Sequence, residues 1–203
     1  MHAPEYPVSR FLRTQGKVGT FHGAHDLDGN KIGLLGFGQI AQRLAKQLSG
    51  FDVEICAYDK YPNLEAAKAL NVRICRMEEL LQTSDIVSIH LPSLLDTYHI
   101  MNHDTFAMMK DGAYSVNTAC GALVDEKAMI DSLNCGKLTM AATDVYEGEP
   151  VTPDNPLLRQ QNCICTPRTS GETYNTYHDV SIMTAEAIVD YFSNKTPKNL
   201  LNG

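Results

Sequence analysis

The fold of this 203-residue chain is decided by the stretch Ile32-Gly33-Leu34-Leu35-Gly36-Phe37-Gly38-Gln39-Ile40-Ala41. A short apolar run ends at Gly36, and the apolar residues that follow recur at the spacing of one helix face. Gly36 permits a tight turn, Gly38 lets the backbone approach a phosphate, and the small Ala41 permits close helix-to-strand packing. The pattern predicts a strand, a turn and a helix whose N-terminus binds a pyrophosphate. The predicted cofactor-binding residues here are Gly36, Gly38, Gln39 and Ile40.

An acidic residue after the next strand supports this interpretation. The apolar run Val53 to Tyr58 predicts the second strand, and Asp59 follows it, about 20 residues after the glycine motif. A carboxylate at that place accepts hydrogen bonds from the ribose hydroxyls of an adenosine and repels a 2′-phosphate. The sequence therefore predicts that Asp59 selects NAD over NADP.

Short apolar runs alternate with helical patterns through most of the chain, which is typical of crossover connections and a parallel sheet. This predicts an α/β fold, a Rossmann doubly wound parallel sheet, in a single NAD-binding domain over residues 31–203. Residues 1–30 are rich in glycine and proline and predict a lead-in segment with at most a short helix at 8–13. Further strands are predicted at 72–75, 86–91, 113–116 and 138–143, and helices at 64–70, 77–82, 104–109, 125–134 and around 182–192.

Composition excludes several classes of function. A net charge of -7 and a pI near 5.4 argue against a nucleic-acid partner, because phosphate backbones are bound by clustered Lys and Arg. The six cysteines lack zinc-like spacing, so we expect no metal site and reduced thiols. No segment has the apolar length of a membrane span or of a signal peptide. We therefore expect a cytoplasmic protein without a membrane partner.

Several further sequence stretches occur in the same order as in a known protein family. Because of these stretches and the glycine motif, the sequence from Ile32 to about Asn202 resembles the cofactor domain of the D-2-hydroxyacid dehydrogenases. This family includes phosphoglycerate, D-lactate and glycerate dehydrogenases. The stretches are Tyr58-Asp59, Ile89-His90-Leu91-Pro92 with Thr97, Met109-Lys110-Asp111-Gly112, Val116-Asn117-Thr118-Ala119, Ala142-Thr143-Asp144-Val145-Tyr146-Glu147-Gly148-Glu149-Pro150 and Thr166-Pro167.

The resemblance implies how this chain binds its cofactor, NAD. It places Leu91 and Pro92 on the adenine side, with Thr97 in the same motif. It places Thr118 and Ala119 beside the nicotinamide ribose. It also assigns the nicotinamide carboxamide to Asp144.

The resemblance also implies an altered catalytic trio. Glu149 matches the acidic member, which in the family holds a histidine protonated. Cys120 stands where the family has a substrate-binding arginine, and a thiol cannot form a bidentate clamp on a carboxylate. Arg168 stands where the family has the histidine acid, and arginine stays protonated at neutral pH. These two differences predict that the usual proton-coupled hydride transfer is impaired.

The family's substrate domain, typically about 100 residues, has no counterpart among residues 1–30. Two hypotheses follow. In the first, the protein is an oxidoreductase in which Arg168 binds the anionic substrate and Tyr146, His178 or water supplies the proton. In the second, it is a catalytically inactive NAD-binding module with a structural or sensing role. A reactive Cys120 thiol would favour the first hypothesis and an inert thiol the second.

The last predicted helix carries an apolar stripe that a lone domain would leave uncovered. A large uncovered apolar surface usually marks an interface, and two-fold pairing is its commonest form. We therefore expect a homodimer or a complex with a chain that supplies the missing substrate domain, and we favour the homodimer. The residues of the stripe are Ile182, Ala185, Ile188, Val189 and Phe192.

Overall fold

The computed structural model describes residues 26–198, so the predicted helix at 8–13 lies outside the described residues. The strands are β1 (Lys31–Leu35), β2 (Glu54–Tyr58), β3 (Arg73–Ile74), β4 (Ile86–Ile89), β5 (Ala113–Asn117), β6 (Leu138–Thr143) and β7 (Cys163–Cys165). The helices are α1 (Gln39–Leu48), α2 (Leu64–Ala69), α3 (Met77–Thr83), α4 (His103–Met108), α5 (Glu126–Asn134) and α6 (Tyr174–Phe192). Short 3-10 helices cover Gly121–Leu123 and Pro156–Arg159.

The seven strands form one parallel sheet in the order β3-β2-β1-β4-β5-β6-β7. The chain first adds strands on one side of β1 and then, from β4 on, on the other. The order therefore reverses between β1 and β4, and the crevice outside their carboxyl ends is where such folds bind ligands. The predicted doubly wound α/β fold is confirmed.

Apolar side chains cover both faces of the sheet. The neighbouring residues Leu34 and Leu35 are both fully buried, and they belong to different hydrophobic clusters. Successive side chains of a strand point to opposite faces, so each cluster lies on its own face. One cluster includes residues of α1 and α2, and the other includes residues of α3, α4 and α5. These two layers fix β1 and β4 in the middle of the fold.

Strands β3 and β7 differ most from the predictions. The predicted strand at 72–75 shortens to the two residues of β3, and the three-residue strand β7 was not predicted. Both lie at the ends of the sheet, where a strand pairs on one side only. Among residues 26–198, no helix has the length and apolarity that crossing a membrane requires.

The described residues divide into two compact units, 26–167 and 168–198. The first unit holds the sheet. In the second, α6 begins after Thr173, whose side chain accepts a hydrogen bond from the Thr176 N–H, and α6 contains no buried residue. The helix that the sequence predicted around 182–192 is therefore present and starts about two turns earlier.

Candidate cofactor and active site

At the first position of the turn after β1, only glycine fits. Gly36 has a φ of 104°, and a Cβ atom there would lie 2.7 Å from the backbone carbon of His90. Its N–H donates to the Tyr58 carbonyl over 2.8 Å, and the His90 N–H donates to the Leu35 carbonyl over 2.7 Å. Any side chain at residue 36 would separate the ends of β1 and β4. The turn thus holds the three central strands together where the crevice opens.

The N-terminus of α1 is open to an anion. Gly38 is its N-cap and makes no side-chain capping bond, unlike the caps of α2, α4 and α5, where Asn63, Asn102 and Asp125 each accept a backbone N–H. Gly38, Gln39 and Ile40 are exposed, and the space where a Cβ of Gly38 would lie contains no atom within 4 Å. The first N–H groups of a helix have no partner within it, so a phosphate can accept them here.

Asp59 is held by the backbone at the end of β2. One oxygen accepts the Phe37 N–H over 2.8 Å, and the other accepts the Tyr61 N–H over 2.8 Å. An ionised carboxylate has about four acceptor positions, so both oxygens can also accept ribose hydroxyls. The bond to Phe37 ties Asp59 to the glycine turn and places its carboxylate near the open N-terminus of α1.

Lys60, the cation next to Asp59, is paired with another loop. Its Nζ donates to Asp96 Oδ2 over 2.8 Å, and this hydrogen bond raises the pKa of Lys60. Asp96 lies in the loop after β4, on the far side of the crevice. Lys60 is therefore charged at neutral pH and directed toward a carboxylate.

The loop after β4 carries Leu91, Pro92 and Thr97, which the resemblance assigns to the adenine side. Leu91 is buried and Pro92 is exposed. The Thr97 hydroxyl donates to the Pro92 carbonyl over 2.7 Å and accepts the Leu94 N–H over 2.8 Å. Thr97 therefore stabilises the loop through hydrogen bonds to its backbone. The resemblance placed Thr97 in the motif without giving it this role.

On the other side of β4, Asn117 organises the loop that carries Thr118, Ala119 and Cys120. The Asn117 amide donates to the Cys120 carbonyl over 2.9 Å and accepts the Ala119 N–H over 3.0 Å. Thr118 between them is exposed. This role of Asn117 was not predicted from the sequence, although an asparagine at the end of a strand is a common signal for a turn held by its side chain.

Asp144 lies next to this loop at the end of β6. It is 4% exposed, its N–H donates to the Asn117 carbonyl over 3.0 Å, and its carboxylate accepts the Thr166 hydroxyl. A Cβ on Gly121 would lie 1.9 Å from the Tyr146 carbonyl oxygen, so the two segments touch through glycine. The structure therefore brings Thr118, Ala119 and Asp144 together at the carboxyl edge of the sheet. The sequence analysis did not identify Thr166 as the partner of Asp144.

The three predicted catalytic positions have different environments. Cys120 is half-buried and packs against the larger hydrophobic cluster. Glu149 is exposed and accepts the Tyr146 N–H over 3.1 Å. Arg168 belongs to the second unit and has a φ of 55°, which is unusual for a residue other than glycine. Glu149 is thus bonded within the segment that follows β6, whereas Cys120 is bonded to Asn117 in the loop after β5.

The structure argues against Tyr146 as the proton donor. Its hydroxyl donates to the Thr166 carbonyl over 3.0 Å, and burial raises the pKa of the phenol. His178, the other candidate, lies on α6 in the second unit, with its Nδ1 3.2 Å from Asp179. A histidine–carboxylate pair that the sequence analysis missed joins His99 to Glu147 over 2.7 Å, with Tyr98 stacked on the imidazole.

We find no set of metal ligands in the described part of the chain. Among residues 26–198, no three His, Cys, Asp or Glu side chains are grouped so that they could hold an ion.

Comparison with known proteins gives a consistent result. The model of the family "D-isomer specific 2-hydroxyacid dehydrogenase, NAD binding domain" matches residues 8–170. A D-3-phosphoglycerate dehydrogenase from Archaeoglobus fulgidus is 34% identical over 177 residues, which is 87% of this chain and 34% of that protein. A glyoxylate reductase from Korarchaeum cryptofilum is 34% identical over 178 residues, 88% of this chain and 54% of that protein. The chain thus spans about a third to a half of the length of these relatives.

Solved structures agree with the sequence relatives. The apo form of D-mandelate dehydrogenase from Rhodotorula graminis superposes with a TM-score of 0.80 at 31% identity, covering 89% of this chain and 54% of that one. A D-lactate dehydrogenase from Treponema pallidum gives a TM-score of 0.82 at 30% identity, covering 97% of this chain and 63% of that one. Each superposition therefore covers most of this chain and somewhat more than half of the other.

Proposed function

The chain belongs to the D-isomer-specific 2-hydroxyacid dehydrogenase family through its NAD-binding domain, and from this membership we propose that it is the cofactor-binding part of an oxidoreductase. The reaction is hydride transfer between NAD(H) and a small 2-hydroxy acid or its 2-keto acid. The observation that carries the proposal is the open N-terminus of α1 beside the backbone-held Asp59, at the point where the strand order reverses.

The residues at this edge fit a dinucleotide. The unpaired N–H groups of α1 bind the pyrophosphate, and the space beside Gly38 lets it approach the backbone. Asp59 accepts the adenosine ribose hydroxyls, and its charge excludes a 2′-phosphate. Thr118 and Ala119 line the nicotinamide ribose. The remaining assigned contacts are Gln39 and Ile40 to the phosphates, Leu91 and Pro92 to the adenine, and Thr97 as the support of that loop.

Asp144 is the proposed acceptor for the nicotinamide carboxamide. It is buried, and the Thr166 hydroxyl and the Asn117 carbonyl fix the position of its side chain and backbone. An acceptor held in this way orients the nicotinamide ring before the reaction. When NADH is bound, its nicotinamide supplies a hydride to the substrate carbonyl carbon.

The chain's own catalytic positions favour slow reduction of ordinary 2-keto acids. Arg168 provides a permanent positive charge, which binds a substrate carboxylate and does not donate a proton near neutral pH. Cys120 packs against the core and supplies no bidentate clamp. The Glu149 carboxylate accepts the Tyr146 N–H in the segment after β6. Loss of a general acid alone costs about 100-fold or more in rate.

The test is NADH consumption by the purified chain with glyoxylate, pyruvate, hydroxypyruvate and mandelate's keto acid as substrates. We expect measurable turnover that is at least about 100-fold slower than the typical kcat of about 10 per second. Variants Glu149→Gln and Arg168→Ala should reduce it further, whereas Asp111→Asn, at the opposite edge of the sheet, should not. Ordinary dehydrogenase rates would show that other residues have replaced the arginine and the histidine. No turnover above the Arg168→Ala background, with NAD still bound, would contradict the oxidoreductase proposal.

We also propose that residues 1–30 are a lead-in segment, that residues 31–203 form the domain, and that the working protein is a homodimer. Exposed apolar side chains along α6 support an interface, because such a surface is usually covered. A chain carrying a substrate domain is the alternative partner. Light scattering after size exclusion should give about twice the chain mass of 22.4 kDa. A mass of one chain at micromolar concentration would contradict this proposal.

The state of the thiols bears on the compartment. All six cysteines are free, and thiols stay reduced in the cytoplasm. This supports our proposal that the protein works there.

A further inference from the structure

Two thiols face each other on the last strand of the sheet. Cys163 and Cys165 lie two residues apart on β7, so their side chains leave the same face, and their Sγ atoms are 3.7 Å apart. Ile164 between them is 55% exposed and points the other way. Both cysteines are half-buried and pack against the larger hydrophobic cluster, and the Cys165 thiol also donates to the Leu157 carbonyl over 3.7 Å. Among the described residues β7 pairs only with β6, so the two thiols have a fixed separation on the last strand of the sheet.

The separation suits a bridging atom better than a disulfide. A disulfide requires an S–S bond of about 2.05 Å and Cβ atoms about 3.5–4.5 Å apart. Alternate residues of a strand are about 6.6 Å apart along the chain and their side chains run parallel, so closing the bond would distort β7. Two sulfurs that each lie about 2.3 Å from a common atom can be separated by up to about 4.6 Å. The observed 3.7 Å satisfies that condition without movement of the backbone.

The surroundings select the kind of atom that can be bound. A structural zinc ion takes four protein ligands, and among residues 26–198 no third His, Cys, Asp or Glu completes a metal-binding group. The bound centre must therefore be thiophilic and must carry its remaining ligand itself. Trivalent organoarsenic has this property, because it bonds two sulfurs and keeps one organic substituent.

We propose that Cys163 and Cys165 form a dithiol site that binds trivalent arsenicals. In the reaction, an organoarsenic oxide R–As=O meets two thiols. Two As–S bonds form, the As=O bond is lost, and both thiol protons leave with the oxygen as one molecule of water. No atom changes its oxidation state, so no oxidant or reductant is required.

The two thiols also affect each other's ionisation. The hydrogen bond between them lowers the pKa of Cys165, although burial opposes this effect, and the same bond together with burial raises the pKa of Cys163. A thiolate is the reactive form of cysteine, so Cys165 makes the first bond and Cys163 the second.

The other cysteines provide matched controls. Cys56 is fully buried, and its neighbour Cys75 has a pKa raised to about 12 by burial and by the nearby Cys56 thiol. Because Cys56 is fully buried, a reagent cannot reach both thiols of this second pair. Cys135 is exposed, and its thiol donates to the Ser132 carbonyl over 3.6 Å. Cys135 therefore serves as the control for reaction of the arsenical with a single exposed thiol.

The experiment treats the full chain with phenylarsine oxide in the presence of excess 2-mercaptoethanol. Intact-mass spectrometry then counts bound arsenicals, and thiol titration in denaturant counts the sulfurs consumed. We expect one arsenical and two lost thiols per chain, with release by an added small dithiol. Cys163→Ser, Cys165→Ser and the double variant should bind at least about 100-fold more weakly, because a second bond within one molecule has a high effective concentration. Cys163→Ala and Cys165→Ala, with circular dichroism to confirm folding, exclude an effect of serine on the strand.

Cys75→Ser and Cys135→Ser should keep the stoichiometry of the unmodified chain. The proposal is overturned if the unmodified chain retains no arsenical against the monothiol. It is equally overturned if the double variant retains it, or if Cys75→Ser abolishes binding, since the dithiol would then lie elsewhere. Because the assay contains no nicotinamide cofactor, its result is independent of the proposed function.

Discussion

Replacing Asp59 tests the part of the site that selects the cofactor. The carboxylate accepts the Phe37 and Tyr61 N–H groups and, in our proposal, the adenosine ribose hydroxyls as well. Hydrogen bonds to a charged acceptor contribute about 1.5–3 kcal/mol, so Asp59→Ala should weaken NAD binding by about 10- to 100-fold. The same change removes the repulsion of a 2′-phosphate, so NADP should lose less affinity than NAD or gain some.

Titration calorimetry with both cofactors measures the two dissociation constants. Asp59→Asn keeps the size of the side chain and one backbone bond, which separates loss of charge from loss of the turn. Asp111→Ala is the matched control, because this exposed aspartate pairs with Lys137 at the amino edge of the sheet. The reasoning is refuted if Asp59→Ala and Asp111→Ala bind NAD equally well.

Three further changes have defined outcomes. Gly36→Ala places a Cβ atom 2.7 Å from the His90 backbone at a residue with positive φ. It should therefore lower the free energy of unfolding by about 1–3 kcal/mol or more. A melting temperature equal to that of the unmodified chain would contradict the described turn. Asp96→Ala should release Lys60 toward a 2′-phosphate and raise NADP affinity severalfold without changing that for NAD, as calorimetry can determine. Burial favours the neutral form of Asp85, but the hydrogen bonds from Lys110 and Lys31 outweigh burial and lower the pKa of Asp85. The contribution of Asp85 to stability is therefore present above about pH 4 and is lost as the pH falls below that value. The difference in melting temperature between the unmodified chain and Asp85→Asn should therefore shrink below pH 4, and a constant difference would argue against the pairing.

The central part of the fold could be predicted because its signals are local. The apolar run of β1, the glycine turn and the small Ala41 are adjacent in sequence, and each has one physical reason. Asp59 was found in the same way, as the first acidic residue after a buried strand. Strand β7 was missed because three residues, Cys-Ile-Cys, carry no periodicity, and the strand forms only by pairing with β6.

The remaining details of the site depend on contacts between distant residues. Asn117 and Thr166 hold the segments that our proposal assigns to the nicotinamide, yet Thr166 meets Asp144 across 22 positions of the chain. The sequence made Tyr146 a candidate acid, because a tyrosine near a catalytic segment can donate a proton. Only the structure shows that its hydroxyl is bonded to the Thr166 carbonyl. The same limit applies to Cys163 and Cys165, whose approach depends on the geometry of β7.

Hydrogen–deuterium exchange of the unmodified chain with and without NAD tests the central claim most directly. The first N–H groups of α1 have no cap in this structure, and a bound pyrophosphate would accept them. We predict that saturating NAD slows exchange in residues 37–41 and 59–61, whereas residues 111–113 at the amino edge of the sheet are unchanged. Unchanged exchange in residues 37–41 at saturating NAD would contradict the claim that the dinucleotide binds at the glycine turn.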